Sequence, residues 1–300
     1  MHILIAGGSG FVGQILQEKL LANGMNVTIL TRTPSKINQT EQLRAVEWLT
    51  PNSKPEAKLS HVDAIINLAG ESINGLRWTN AKKQRIMDSR MKATREIIRL
   101  LTALETKPEV LVNASAVGYY GMSNTEIFTE KSMTDAHDFL ATVVRMWEKE
   151  AAVAQSLGVR TVFARLGIVL GRGGALPLMA LPYRFGAGGT VGSGEQWVSW
   201  IHVEDVAGLI QFAIKQKNLS GPLNVTAPEP VKMREFGKTI GRVLHRPHWL
   251  PVPSFAMKAL LGEMSEMLLQ GQKALPEKAL EHRYVYKYPN LEKALNKSLK

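Results

Sequence analysis

The sequence contains no cysteine, which excludes disulfides and thiolate metal sites and fits a reducing compartment. It has no apolar stretch approaching the roughly 18 residues that a membrane-spanning helix needs. The opening run Ile3-Leu4-Ile5-Ala6 is too short for a secretory signal and leads straight into a glycine loop. Internal repeats and low-complexity tracts are also missing. Together these absences predict a soluble, cytoplasmic chain that makes no use of a membrane.

The 300 residues, 45% of them hydrophobic, suffice for one large α/β unit or two joined domains. Short β-branched runs alternate with longer amphipathic stretches over the first two-thirds, which predicts βαβ units on a parallel sheet. Strands are expected at His2–Ala6, Asn26–Leu30, Ala45–Trp48, Ala64–Asn67, Val110–Ala114 and Thr161–Arg165. Helices are expected at Phe11–Ala22, Asn80–Leu104 and Ala136–Ser156. Gly24 and Gly158 stand just past two of them, where a left-handed residue commonly ends a helix.

After Arg165 the texture changes. Gly171, Gly173, Gly174, Gly186, Gly188, Gly189, Gly192 and Gly194 predict loops near a ligand or a tightly turned connection. Helical periodicity returns at Val203–Lys215, and a strand is expected at Leu223–Thr226. Pro247, Pro251 and Pro253 mark a linker into a Leu- and Met-rich segment. There Met257, Leu260, Leu261, Met264, Met267 and Leu268 fall at near-helical spacing, which predicts a helix packed on the core. A groove for a partner protein is the sharper alternative.

The chemistry-bearing feature is Gly7-Gly8-Ser9-Gly10-Phe11-Val12-Gly13. It follows a predicted strand and opens a predicted helix, the context that a dinucleotide fingerprint requires. The early glycines permit a tight turn and let backbone N–H groups approach a pyrophosphate, while Gly13 lets helix and strand pack closely. The helix N-terminus adds partial positive charge. An NAD site usually places a carboxylate at the end of the second strand to bind the ribose 2′-hydroxyl. Here the strand ends Ile29-Leu30-Thr31-Arg32. Arg32 suits a 2′-phosphate and Thr31 adds a hydroxyl, so the expected cofactor is NADP. A second anchor is Asp63-Ala64-Ile65-Ile66-Asn67-Leu68-Ala69-Gly70, whose small terminal residues let a flat adenine or ribose lie against the backbone.

The formal net charge of +11 favours anionic partners. Its densest stretch is Arg77, Lys82, Lys83, Arg85, Arg90, Lys92, Arg95 and Arg99, broken by Asp88 and Glu96. The ordinary reading is a solvated helix face; the sharper one has one or two of these arginines meeting cofactor phosphate. Nucleic acid is not expected, because no aromatic residues interleave there to stack bases.

These residues resemble the extended short-chain dehydrogenase/reductases of the NAD-dependent epimerase/dehydratase superfamily, over nearly the whole chain. Gly7-x-x-Gly10-x-x-Gly13 resembles their cofactor loop, and Asn67-Leu68-Ala69-Gly70 their fourth-strand turn. Ala114-Ser115-Ala116-Val117-Gly118-Tyr119-Tyr120-Gly121 resembles the fifth-strand motif, and Trp200-Ile201-His202-Val203-Glu204-Asp205-Val206-Ala207 the later strand-to-helix motif. Ser89-Arg90, Trp147-Glu148, Arg165-Leu166-Gly167-Ile168-Val169-Leu170 and Gly192-Ser193-Gly194-Glu195-Gln196 resemble an atypical epimerase-like branch. The tail from Pro276 through Leu295, with Tyr288-Pro289, is similar to that branch's terminal domain of unknown role.

The resemblance implies a Rossmann-type, doubly wound α/β fold with a smaller C-terminal α/β domain. Its expected division is 1–170 with 201–227 for the NADP-binding domain, and 171–200 with 228–300 for the smaller one. It further implies that Thr31 and Arg32 surround the 2′-phosphate and that Leu68, Ala69 and Gly70 border the adenosine half. Arg90 would reach ribose or phosphate, Val169 would approach nicotinamide through its backbone, and Arg165 would brace its strand end. The stretch Gly186–Gly194 with Trp197 and Trp200 is expected to wall a substrate cleft, a packed turn with core aromatics being the alternative.

One part of the family's machinery is missing. Its members pair tyrosine and lysine as Tyr-x-x-x-Lys on the helix after the fifth strand, to move a proton to or from a substrate oxygen. Counting back from Glu148, Leu140 and Val144 stand in those positions, and Ala116 stands where a serine or threonine is usual. Tyr119, Tyr120, Ser115 and His202 are the candidate replacements, each with a structural alternative, so no catalytic residue is assigned. Two readings stay open. The chain is an NADP-dependent oxidoreductase or epimerase for a small molecule, nucleotide-linked or free, or it is a catalytically silent NADP-responsive regulator.

Overall fold

Ile3, Leu4, Ile5 and Ala6 are all fully buried, which a strand achieves inside a sheet covered on both faces. The computed structural model, which describes residues 1–73 and 77–300, has that sheet. Its strands are β1 (His2–Ala6), β2 (Asn26–Thr31), β3 (Leu43–Glu47), β4 (Ala64–Asn67), β5 (Val110–Ala116), β6 (Arg160–Leu166) and β7 (Gly221–Val225). They are parallel throughout, in the order β7-β6-β5-β4-β1-β2-β3.

Alternate residues of β1 feed opposite layers. Ile3 and Ile5 join Leu16 and Leu20 of α1 (Phe11–Ala22), whereas Leu4 and Ala6 join Ile97, Leu100 and Leu101 of α2 (Asn80–Ala103). Each of these buried Ile and Leu side chains contributes about 1.5–3 kcal/mol. α3 (Phe139–Ser156) shares the α2 layer. The chain order reverses between β1 and β4, which opens a crevice above their C-terminal ends where such sheets bind ligands.

The other helices flank a second lobe. Among them are α4 (Leu176–Arg184), α6 (Met233–Leu244) and the terminal helix Leu291–Leu299, while α5 (Val203–Lys215) covers the α1 face of the sheet. Trp200 and Phe236, both fully buried, centre the second core with Tyr183, Ile240 and Leu295. Short strand pairs stitch this lobe together: Ile168–Leu170 runs parallel to Trp200–His202, Trp197–Val198 antiparallel to Val231–Lys232, and Ile127–Phe128 parallel to Lys273–Ala274.

Several expectations are corrected. The helix expected from Ala136 starts at Phe139, because the Asp138 carboxylate caps it by accepting from the Ala141 N–H at 3.0 Å. The glycine-rich stretch is interrupted by α4, whose residues lack glycine. The Leu- and Met-rich segment is not one packed helix. Gly262, at φ +59°, breaks it into Ser254–Leu261 and a 3₁₀ turn, Gly262–Ser265, that leads into Glu266–Leu269. Phe255 and Leu260 point to solvent. Gly24 and Gly158 do adopt positive φ after their helices. Among the described residues no helix is long and apolar enough to cross a membrane.

Candidate functional site

The loop from β1 to α1 cannot carry side chains at its key positions. A Cβ on Gly13 would lie 2.4 Å from the Gly7 carbonyl oxygen, and one on Gly7 would lie 2.7 Å from the Leu68 carbonyl carbon. The loop therefore sits directly on α1 and on the end of β4. Gly7 also has φ +82°. A Cβ on Gly8 would meet the Ile29 side chain at 2.5 Å. The Gly10 N–H bonds the Gly7 carbonyl at 3.1 Å, and Gly10 caps α1 without a side chain. No acidic residue stands in the first turn. The orphan N–H groups of that turn thus lack a counter-charge from their own helix, which suits an anionic ligand.

Ser9 is exposed and Val12 packs against the main core. The Phe11 ring lies where Cβ atoms on Gly171 and Gly173 would fall, at 2.5 and 2.7 Å. These glycines let the loop after Ile168–Leu170 close onto the start of α1. The strand containing Val169, which leads into that loop, is thereby brought near the glycine loop, although the two are far apart in sequence.

Across the crevice, the Thr31 hydroxyl accepts from the Thr33 N–H at 3.2 Å. Arg32 is exposed and makes no ion pair or side-chain hydrogen bond among the described residues. Leu68 and Ala69 are half-buried. The Asn67 amide donates to Asn113 at 2.7 Å and to Thr94 at 3.2 Å, and its oxygen accepts from the Ala69 N–H at 3.2 Å. Trp147 also donates to Thr94, at 2.9 Å. This buried amide network fixes the turn after β4.

Ser89 and Arg90 finish that turn. The Ser89 hydroxyl accepts from the Glu71 N–H at 2.9 Å, and Arg90 donates to the Glu71 carbonyl at 3.0 Å. Arg90 also lies 5.1 Å from the Trp147 ring and packs on Gly70. Its guanidinium is committed to shaping the wall.

At the ends of β5 and β6 the charges are buried and mutually paired. Arg165 forks onto Glu148 of α3 with two bonds of 2.8 Å, and the Ser115 hydroxyl donates to the same carboxylate at 2.6 Å. Arg165 also donates to the Tyr120 hydroxyl at 3.0 Å, which in turn donates to Asn224 at 2.8 Å. Burial pushes the Tyr120 phenol up and the Glu130 carboxyl up, the latter despite the Asn224 N–H that Glu130 accepts at 2.9 Å. Tyr120 and Ser115 are thus both tied into this buried network.

His202 is likewise held by its neighbours. Its Nδ1 accepts from the Glu204 N–H at 3.2 Å, capping α5, and its ring lies 4.0 Å from that of Tyr288. Burial holds it down at about 4. The next carboxylate, Asp205, accepts from the N–H groups of Lys287 and Tyr288 at 2.7 and 2.8 Å, which ties the C-terminal tail to α5. Of the four candidate acids only Tyr119 keeps a hydroxyl without a partner among the described residues. Its half-buried ring lies face-on to Arg165, 3.4 Å away.

Leu140 stands beside Gly118, whose added Cβ would be 3.6 Å from that of Leu140, and Val144 is buried. No tyrosine anywhere in the chain is followed four residues later by lysine.

The basic run on α2 is largely neutralised. Lys82 and Arg85 pair with Glu71, Lys83 with Glu263, Arg95 with Glu150, and Arg99 with Glu56 and Glu96. Arg77 donates to the carbonyls of Leu260, at 3.0 Å, and Ala259. Together, Arg77 and Lys83 tie the 254–265 segment to the start of α2. Trp200 is core, with its N–H on the Glu229 carbonyl at 3.0 Å. Trp197 is half-buried on the lobe boundary and donates to the Asn124 carbonyl at 3.0 Å. Sequence reasoning misses the Glu148–Arg165 fork and the lysines around Trp197. Glu148 is adjacent to the hallmark Trp147, but nothing in its spacing discloses the partner.

Comparison with known proteins gives a consistent result. Residues 3–225 match the family described as "NAD dependent epimerase/dehydratase family", and residues 252–297 match a "Domain of unknown function (DUF1731)". The chain is 51% identical over 296 residues to the epimerase family protein YfhF of Bacillus subtilis (strain 168), covering 99% of this chain and 97% of that one. The human epimerase family protein SDR39U1 (isoform 2), solved with NADPH, superposes with a TM-score of 0.87 at 34% identity, over 99% of this chain and 98% of that one. The UDP-glucose 4-epimerase of Thermus thermophilus, solved with NAD, shares the fold at 18% identity, with a TM-score of 0.78 over 100% of this chain and 98% of that one.

Proposed function

The chain belongs to the NAD-dependent epimerase/dehydratase family, and on that premise we propose that it binds NADP(H) in preference to NAD(H) and works on a small molecule held between its lobes. The observation that carries the cofactor choice is Arg32. It is an unpaired guanidinium at the end of β2, where a carboxylate would be needed to select the unphosphorylated ribose. The relative SDR39U1, solved with NADPH, supports the same choice. The glycine cradle fits the pyrophosphate by its shape and its free N–H groups.

In this reading, the first-turn N–H groups of α1 hold the pyrophosphate, and Thr31 and Arg32 hold the 2′-phosphate. Leu68, Ala69 and Gly70 flank the adenosine, kept in place by Asn67, Ser89 and Arg90. Val169 meets the nicotinamide end through its backbone. The nicotinamide supplies hydride transfer when bound. Leu140 and Val144 exclude water without moving protons. Tyr119 is the one candidate acid free to face a substrate. We assign residues 1–170 and 201–227 to cofactor binding and residues 171–200 and 228–300 to the substrate lobe, in a cytoplasmic protein.

Titration of the protein with NADPH and NADH, monitored by nicotinamide fluorescence, tests the cofactor choice. NADPH should bind at least about tenfold tighter, and Arg32→Ala should narrow the gap; equal affinities would remove the assignment. A second reading, a regulator that binds NADP(H) without turnover, is favoured by one observation: Ser115, Tyr120 and His202 are all tied into structure. Stoichiometric NADPH oxidation by a carbonyl substrate, or epimerisation of a sugar nucleotide with no net change in NADP redox state, abolished in either case by Tyr119→Phe, decides for the enzyme.

A further inference from the structure

Three short segments meet at Trp197. Lys232 is its cross-strand partner, and Lys273 arrives on the strand paired with Ile127–Phe128. The Lys232 ammonium lies 3.8 Å from the centre of the indole ring and the Lys273 ammonium 4.6 Å. The Trp197 N–H is bonded to Asn124, just past Gly121, and the Ser123 N–H donates to the Gly271 carbonyl at 2.9 Å. The cluster therefore lies on the seam where the loop following β5 meets the second lobe.

Two like charges gathered on one ring repel each other, and an indole face offsets this only in part. Their neighbours are arranged otherwise. Glu195, the carboxylate that acts on Lys232, is itself paired with Arg234 at 2.9 Å. Neither Lys232 nor Lys273 has a carboxylate partner among the described residues, and both are half-buried. Burial draws Lys232 below the ordinary lysine value, with Glu195 opposing and Lys273 reinforcing that shift. An arrangement of this kind is unfavourable empty and is relieved by a compact anion. Ammonium groups act as point charges that suit phosphate, whereas carboxylate recognition favours the planar fork of arginine.

We propose that Lys232, Lys273 and Trp197 form an anchor for a phosphoryl group of the substrate, on the lobe seam and separate from the glycine loop. The assignment deepens the proposed function and rests on it for the location of the substrate between the lobes. The anchor sets which molecules enter: a phosphorylated ligand gains the two ammonium contacts, and a neutral analogue leaves their repulsion in place.

The test uses the full chain saturated with NADPH, so that the glycine loop is filled, at constant ionic strength. Inorganic phosphate and uridine diphosphate are titrated by calorimetry into wild type, Lys232→Gln and Lys273→Gln, and NADPH affinity is measured in each. We expect saturable binding of at least one probe, weakened tenfold or more by either substitution, with NADPH affinity unchanged. Tighter binding of uridine diphosphate than of phosphate identifies a nucleotide-linked source, and equal binding a simple phosphate ester. Absence of saturable binding, or binding that neither substitution weakens, overturns the anchor while leaving the cofactor reading intact. Loss of NADPH binding by wild type would instead strike the cofactor reading. If one variant fails to fold, the other decides.

Discussion

At one side of the crevice, residues 7–13 offer a ligand little except backbone. At the other, Ser115, Glu148, Arg165 and Tyr120 bring buried charge and hydroxyl groups and satisfy them on one another. The first region is open to an outside anion because its N–H groups have no internal counter-charge. The second satisfies its polar groups internally, each on another member of the cluster or on Asn224. The comparison teaches that an intact cofactor loop and an absent acid–base pair are compatible in one fold.

The largest expected effect breaks the closed region. Glu148→Ala strands the Arg165 guanidinium in the interior, and loss of one partner of a buried pair costs about 3–5 kcal/mol. Chemical denaturation should show that loss, while the double substitution Glu148→Leu with Arg165→Met should recover much of it. A double variant as unstable as the single one would mean that the pair does more than satisfy itself. Next, Gly13→Val places side-chain carbon against the Gly7 carbonyl. NADPH affinity should fall about 100-fold or more, near 3 kcal/mol, and unchanged binding would show that the loop is not the cradle.

The third effect is a pH dependence. His202 is held at about 4 in the folded protein by burial, against an ordinary value of 6.5. As pH falls below 6.5 the unfolded chain takes up a proton that the folded one refuses. Stability should therefore drop, by about 2 kcal/mol between pH 7 and pH 4.5. His202→Asn should flatten that slope in melts across this range, and an unaltered slope would place the titration elsewhere. The smallest effect sharpens the open region. Arg32→Ala should cost NADPH about tenfold in affinity, near 1.4 kcal/mol, and leave the melting temperature and NADH affinity unchanged.

The contrast also explains what could be read in the sequence. β1, β4 and the helices at 11–22 and 203–215 were legible because periodicity and glycine punctuation act within a single segment. Strands of two or three residues, such as Trp197–Val198 and Lys273–Ala274, carry no periodic signal. α4 was hidden by flanking glycines and by Pro177 and Pro182, although proline at the start of a helix is compatible with it. In the site, the glycine cradle and the missing tyrosine and lysine were visible, since each depends on residue type at one position. The roles of Ser89, Arg90 and Glu148 were not, nor was the partner through which Arg165 braces its strand end. They arise from contacts across the fold, 17 residues apart for Glu148 and Arg165 and 18 for Ser89 and Glu71.

The central claim is that the glycine loop receives the pyrophosphate bridge of NADPH and Arg32 its 2′-phosphate. A crystal structure grown with NADPH tests it directly. The account predicts pyrophosphate oxygens within hydrogen-bond distance of the backbone N–H groups opening α1, and the 2′-phosphate against the Arg32 guanidinium. Nucleotide density away from that loop, or a 2′-phosphate directed into solvent with Arg32 turned aside, would contradict it.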